Sequence, residues 1–302
     1  MEIYWLGEEK CHQAALVGGK AASLSRLFTR WPVPEGFCAC FEIEPGQRAE
    51  IDAAQVVEAY DRLCERLGES NVSVAVRSSA VDEDGQTVSF AGQHESYLNL
   101  HGSQAILKDV QRCLDSMQAE RALSYRQQHG LGLPKRAAVL VQQLVRADVS
   151  AVVFSVDPCS GDRDHLLVNA TFGLGESLVS GTATPDLYLV NKHTLAVETS
   201  LIAEKACMTV TLDEGTAEIT TPRTLQREPA LNSAQVVTLA KMAIQLEAEQ
   251  GWPVDLECVY SQNRPYLLQC RPITTLRTPA QSGGNNCKKI SSFICTIIIN
   301  HV

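Results

Sequence analysis

Apolar residues recur at helical spacing through residues 52–68, where Val56, Val57, Tyr60, Leu63, Cys64 and Leu67 share one face and Gly68 ends the run. Ser233–Gln250 has the same amphipathic period, and residues 104–128 form a long helical region closed by Gly130 and Pro134. Residues 18–27 read as a glycine turn that starts a further helix, and residues 33–37 as a loop leading into an extended segment. Other segments carry the period of a strand. Residues 72–76 alternate and are left by Arg77, Ser78 and Ser79, while 137–145 and 150–156 are two β-rich runs joined by a short polar turn. Residues 166–170, 188–191 and 208–212 are further strand candidates. Residues 254–260 and 265–269 predict a hairpin turning at 261–264. Helices and strands mix without the regular alternation of a doubly wound sheet, so the pattern predicts α+β lobes. There is no internal repeat.

Length and charge narrow this picture. A chain of 302 residues is long enough for two lobes, each with a core of its own. A net charge of -9 excludes a general nucleic-acid binder, which needs a basic field over the phosphate backbone. A nucleotide is a different matter, because a few local cations and backbone amides suffice to hold one. The first ten residues contain Glu2, Glu8 and Glu9 and no apolar run follows, so no signal peptide is expected. No run of about 20 apolar residues predicts a membrane span. These features predict a cytoplasmic protein with no membrane partner. The 11 cysteines include no CxxC, and Cys38 and Cys40 are too close for an ordinary disulfide, so buried or free thiols are expected.

Four groups of residues carry candidate chemistry. Gly18-Gly19-Lys20 precedes a helix: glycines let backbone approach a ligand and the lysine offers a mobile point charge to phosphate, although a surface glycine turn explains the pattern too. It is not a P-loop, since GxxxxGK[ST] is absent. Residues 74–79 form a strand that delivers Arg77 and two hydroxyls. Asp82, Glu83 and Asp84 follow, and then Ser89-Phe90-Ala91-Gly92-Gln93, whose small and polar residues suit either a phosphate-covering loop or a plain polar connection. Gly173-Leu174-Gly175-Glu176 sets two glycines beside a carboxylate, a pattern shared by sites and by tight turns. In the fourth group, alternation puts Asp255 and Glu257 on one face of a strand, and Gln269 and Arg271 on one face of the next. If the hairpin pairs them, carboxylate and amide oxygens suitable for Mg²⁺ converge with a guanidinium suitable for phosphate. A salt bridge across a surface hairpin is the plainer alternative.

Taken together, the segments LVGGKAASLSRL, VPEGF, VAVRSSAVDEDGQTVSFAGQHESYLNL, VLVQQLV, AVVFSVDP, NATFGLGESLVSGTATPDLYLV and DLECVY…PYLLQCRPIT resemble the nucleotide-binding domain shared by phosphoenolpyruvate synthases, rifampicin phosphotransferases and pyruvate, phosphate dikinases. The resemblance runs from about residue 16 to residue 275, and its wording is more similar to the first two branches. It implies a two-lobed ATP-grasp fold, with residues 1–142 and 143–276 as the lobes. Residues 277–302, broken by Gly283, Gly284, Asn285 and Asn286, read as an irregular tail, with a non-native or truncated end as the alternative. It implies ATP and Mg²⁺ as cofactors. Lys20 and Arg77 would contact the phosphates, and Ser89, Gly92 and Gln93 would belong to a loop closing over them. Gln143, Leu144 and Val145 would form the adenine-side hinge, Glu257 and Gln269 would hold Mg²⁺, and Arg271 would bind the phosphate chain. Glu176 would reach the ribose or a loop, and Asp255 would stand behind the metal ligands.

The family passes a phosphoryl group to a histidine in a Gly-rich, Ser/Thr-His context. None of His12, His94, His101, His129, His165, His193 and His301 lies in such a context. The expected partner is therefore a phosphohistidine domain in a missing segment or a separate chain. A non-catalytic nucleotide-binding module or a truncated gene product is the alternative. A carboxylate–amine ligase is a third reading, for which no segment suggests an acceptor site.

Overall fold

The computed structural model describes residues 1–43, 49–80, 96–119, 136–158 and 160–273. The chain is α+β, in two compact units. The first comprises Met1–Val145 with Thr211–Thr216, and the second Arg146–Val210 with Ala217–Val302.

The first unit is built on a five-stranded antiparallel sheet. Its strands are β1 (Glu2–Trp5), β2 (Gly36–Glu42), β3 (Val74–Ser78), β4 (Ser96–Leu100) and β5 (Arg136–Gln143), in the order β1-β2-β5-β3-β4. Alternation sends Phe37, Ala39, Phe41, Val74, Val76, Val139 and Val141 to one face, where they form a single apolar cluster. Two amphipathic helices, α2 (Ala53–Leu67) and α3 (Ser103–Met117), contribute Val56, Leu63, Ile106 and Val110 to that cluster. The ends of α2 follow from its sequence. The Asp52 side chain accepts from Gln55 N, and Gly68 ends the helix in the left-handed conformation. Helix α3 is shorter than the periodicity of 104–128 predicts. Its amides tighten to i→i−3 bonds, Gln118 to Asp115 and Ala119 to Ser116, and the rest of that prediction lies outside the described residues. Another helix, α1 (Ala14–Leu27), is interrupted at Gly18.

The second unit carries a six-stranded antiparallel sheet of β6 (Val149–Phe154), β7 (His165–Phe172), β8 (Asp186–Asn191), β9 (Val197–Leu201), β12 (Val254–Ser261) and β13 (Arg264–Pro272). The order is β13-β12-β6-β7-β8-β9, with β10 (Cys207–Thr211) and β11 (Thr216–Thr220) as a separate pair. A short helix, α4 (Glu176–Val179), follows β7. The long helix α5 (Ser233–Gln250) packs along the sheet; Asn232 and Gln235 form a capping box at its start and Gly251 a left-handed end. Val152, Phe154, Leu167, Leu187 and Leu178 of α4 form an apolar cluster in this unit, and all four strand residues share one face by register.

The expected hairpin is present and longer at both ends. Gln262 and Asn263 form its two-residue turn, with φ of 48° and 61°, so both central residues are left-handed as the twist of a tight hairpin requires. The eight described cysteines are free thiols, seven of them buried, and the Cys38 and Cys40 sulfurs lie 3.9 Å apart. No helix among the described residues is long and apolar enough to cross a membrane. Residues 277–302 lie outside the described residues.

Candidate functional site

In the first unit, strand β3 and helix α1 bring Lys20 and Arg77 into one neighbourhood. Lys20 is 6% exposed, and its Nζ donates to Ser78 O at 3.1 Å, one residue past Arg77. Burying an ammonium is costly unless it is partnered, and the Ser78 carbonyl is one partner of this one. Arg77 pairs with Leu140 of β5 and Ser96 of β4, at the half-buried exit of the strand. Ser89, Gly92 and Gln93 lie outside the described residues.

The stretch Gln143, Leu144 and Val145 ends β5 and the first segment of this unit. Gln143 N donates to Glu35 O at 2.8 Å and Leu144 N to Ser73 O at 2.8 Å. Both amides are thus engaged within the unit, and a base held by this stretch would meet other groups.

In the second unit, the β12–β13 register sets Asp255 opposite Arg271 and Glu257 opposite Gln269. Arg271 Nε donates to Asp255 Oδ2 at 2.9 Å, in a pair whose side chains are 11% and 2% exposed. Burial pushes the Asp255 carboxyl above the usual carboxylate range; Arg271 pulls it back down, and Glu257 adds to the rise. Its Oδ1 is buried without a hydrogen-bond partner among the described residues. Carboxylate oxygens on alternate residues, opposite an amide oxygen, form an oxygen-only donor set that fits a hard divalent cation such as Mg²⁺. The guanidinium fixed by Asp255 suits phosphate oxygens.

Glu176 is the first residue of α4, and its Oε2 is also buried without a partner among the described residues. The preceding turn packs within its own unit, where Leu174 N donates to Thr209 O at 2.8 Å and Ser150 Oγ to Gly173 O at 2.7 Å. Asn169 belongs to none of the four groups that the sequence singles out. This residue is fully buried on β7, and neither its Oδ1 nor its Nδ2 has a partner among the described residues. Through Val152 it lies on the same face as Glu257. An asparagine in the middle of the apolar run 166–170 was the available signal.

Comparison with known proteins adds to this geometry. Residues 48–289 match the family described as pyruvate phosphate dikinase, AMP/ATP-binding domain. The chain belongs to that family. Within it, the probable phosphoenolpyruvate synthase of Methanocaldococcus jannaschii is 36% identical over 91% of this chain and 27% of its own length. The phosphoenolpyruvate synthase of Pyrococcus furiosus is 38% identical over 76% of this chain and 29% of its own. The rifampicin phosphotransferase of Streptomyces sviceus is 36% identical over 87% and 35%. The chain therefore spans little more than a third, or less, of these relatives. A structure of a dinucleotide-forming acetyl-coenzyme A synthetase from Ca. Korarchaeum cryptofilum overlaps 85% of this chain and 92% of that one, at 13% identity and a TM-score of 0.44. The AMP/ATP-binding family assigns the chain a nucleotide-binding domain of the phosphoenolpyruvate-synthase type.

Proposed function

We propose that this domain binds Mg·ATP in an ATP-grasp fold and orients it for phosphoryl transfer to a histidine carried by another segment or a separate chain, in the cytoplasm. The observation that carries this reading is the cross-strand quartet: Asp255 against Arg271, and Glu257 against Gln269. A surface hairpin has no reason to place a 2%-exposed carboxylate beside a second carboxylate and an amide. A cation and a phosphate chain give it one.

Glu257 and Gln269 would hold Mg²⁺, which when bound neutralises phosphate oxygens. Asp255 fixes the Arg271 fork, so the guanidinium meets the phosphate chain without further ordering. Lys20 and Arg77 would contact the phosphates. Ser89, Gly92 and Gln93 would cover the phosphates, Gln143 to Val145 would face the base, and Glu176 would reach the ribose. Catalysis then rests on positioning and charge neutralisation, the two means available for phosphoryl transfer. The acceptor histidine and the final phosphoryl acceptor lie with the partner.

The test is calorimetric titration of ATP into the chain, with and without Mg²⁺, beside Glu257→Ala and Arg271→Ala. The wild type should bind only with Mg²⁺, and each variant should lose about tenfold or more in affinity, as expected for removal of a charge-assisted contact. A folded wild-type chain that binds no ATP in the presence of Mg²⁺ would sink the proposal.

A further inference from the structure

Helix α1 runs from Ala14 to Leu27 but breaks at Gly18, where φ is 79° and ψ 167°. In an unbroken helix the Ala21 amide would pair with the Val17 carbonyl. Here the Ser79 hydroxyl stands between these two groups. Ala21 N donates to Ser79 Oγ at 3.1 Å, and Ser79 Oγ donates to the Val17 carbonyl at 2.7 Å. Only a group that donates and accepts at once can bridge an amide and a carbonyl this way, which a hydroxyl does and a methyl does not.

Adjacent contacts tie the same two segments together. Gly19 N donates to Ala80 O at 3.0 Å, Lys20 Nζ donates to Ser78 O at 3.1 Å, and Ser79 N donates to Ala138 O of β5 at 2.9 Å. A Cβ on Gly18 would lie 2.0 Å from Ser79 O, so residue 18 can have no side chain while Ser79 sits where it does. Residues 17–21 are thus seated on residues 78–80 by alternating backbone and side-chain bonds, with Ser79 fully buried at the centre.

We propose that Ser79 is a positioning residue for Lys20: by splicing its hydroxyl into the broken ladder of α1, it fixes the break from which the lysine reaches its phosphate. The inference rests on the reading of Lys20 as a phosphate ligand. Ser79 itself touches no substrate; it sets the height and direction of the helix start, and through that the position of Nζ.

The experiment compares the full chain with Ser79→Ala, Lys20→Ala and the double variant, titrating each with Mg·ATP and with adenosine. Ser79→Ala should weaken ATP by about tenfold and leave adenosine within about twofold, because the loss falls on the phosphates. In the Lys20→Ala background, adding Ser79→Ala should change ATP affinity by less than about twofold, since residues that act through one another are not additive. Ser79→Thr keeps the hydroxyl and should retain ATP affinity. If Ser79→Ala does not fold, Ser79→Cys, which leaves no cavity and weakens both bonds, carries the same expectation. Equal losses for ATP and adenosine, or a penalty that persists without Lys20, would overturn the proposal. Lys20→Ala binding ATP like the wild type would remove the phosphate role of Lys20, and the functional half of the proposal with it. Hydrogen exchange at the Ala21 amide reads the splice independently of any ligand, and unchanged protection in Ser79→Ala would refute it.

Discussion

Glu257 and Gln269 stand directly opposite each other on β12 and β13 because the hairpin contains one extra residue between them and its turn. From Ser261↔Arg264 to Cys258↔Leu267 the strands pair residue for residue. Continued unchanged, that register would set Glu257 against Leu268 and Asp255 against Cys270. The shift between Glu257 and Cys258 absorbs Leu268 as a bulge, after which Glu257 meets Gln269 and Asp255 meets Arg271. Cross-strand partners share a face, so the bulge is what assembles carboxylate, amide and guanidinium on one side of the sheet.

Asn169 extends that polar row past Val152. Its buried amide has no partner among the described residues, and each unmade hydrogen bond of this kind costs about 1–3 kcal/mol. Replacement by leucine of similar shape removes that cost. Asn169→Leu is therefore expected to be at least as resistant to thermal unfolding as the wild type while binding Mg·ATP more weakly. A loss of stability with unchanged affinity would make the amide a structural group.

How far this was legible in the sequence differs from element to element. Helices α2 and α5 and the β12–β13 hairpin could be read because their own residues carry the period, the turn or the stop, as with Gly68. Strands β1, β9 and β11 could not. β1 is four residues long and is a strand because β2 pairs with it, while β9 and β11 are largely exposed and take their register from a partner. The candidate residues at 255, 257, 269 and 271 followed from alternation alone, but their meeting depends on the Leu268 bulge, which alternation does not encode. Likewise Gly18-Gly19-Lys20 announced a turn, whereas the hydroxyl that completes it comes from Ser79, 58 residues away from Ala21.

Two left-handed glycines in the first unit should respond very differently to alanine. Gly68 has φ of 69° and nothing within 4 Å of an added Cβ, so Gly68→Ala should cost only the left-handed penalty, about 1–2 kcal/mol. At Gly18 the Cβ meets the Ser79 backbone as well, and moving it would break the bonds that seat α1. Urea unfolding should show Gly18→Ala to be the more destabilising of the two, and equal costs would contradict the close approach.

Lys205 and Asp186 form a fully buried ion pair in the second unit, with Lys205 Nζ 2.6 Å from Asp186 Oδ1. The same carboxylate accepts from Ala203 N at 2.9 Å and Ala230 N at 2.7 Å, and Lys205 Nζ also donates to Ala203 O at 3.0 Å. The pair thus clamps the connections after β9 and before α5. Lys205→Met leaves an uncompensated buried carboxylate and should cost about 3–5 kcal/mol in denaturant unfolding. A cost under about 1 kcal/mol would mean that the backbone amides alone hold the charge.

His165 gives the second unit a pH dependence. Its Nδ1 lies 2.7 Å from Asp162 Oδ2 and its Nε2 3.0 Å from Glu198 Oε2, at the start of β7. The hydrogen bond to Asp162 raises the histidine above its ordinary range, against the opposing effect of burial. The folded state therefore holds a proton that the unfolded chain releases. The contribution is complete below the unfolded value of about pH 6.5 and is lost as pH rises through the folded value. Asp162 is held low, first by the Asp164 amide and then by His165, so its own contribution is present above about pH 3.9 and is lost as pH falls through its folded value. Melting temperatures at about pH 6 and pH 8.5 should therefore fall across that interval in the wild type, and fall less in His165→Gln. The groups facing the ring are partly exposed, so added salt should shrink the difference. Equal slopes in the two proteins would show that the Asp162–His165–Glu198 bridge does not set the pH response of this edge of the sheet.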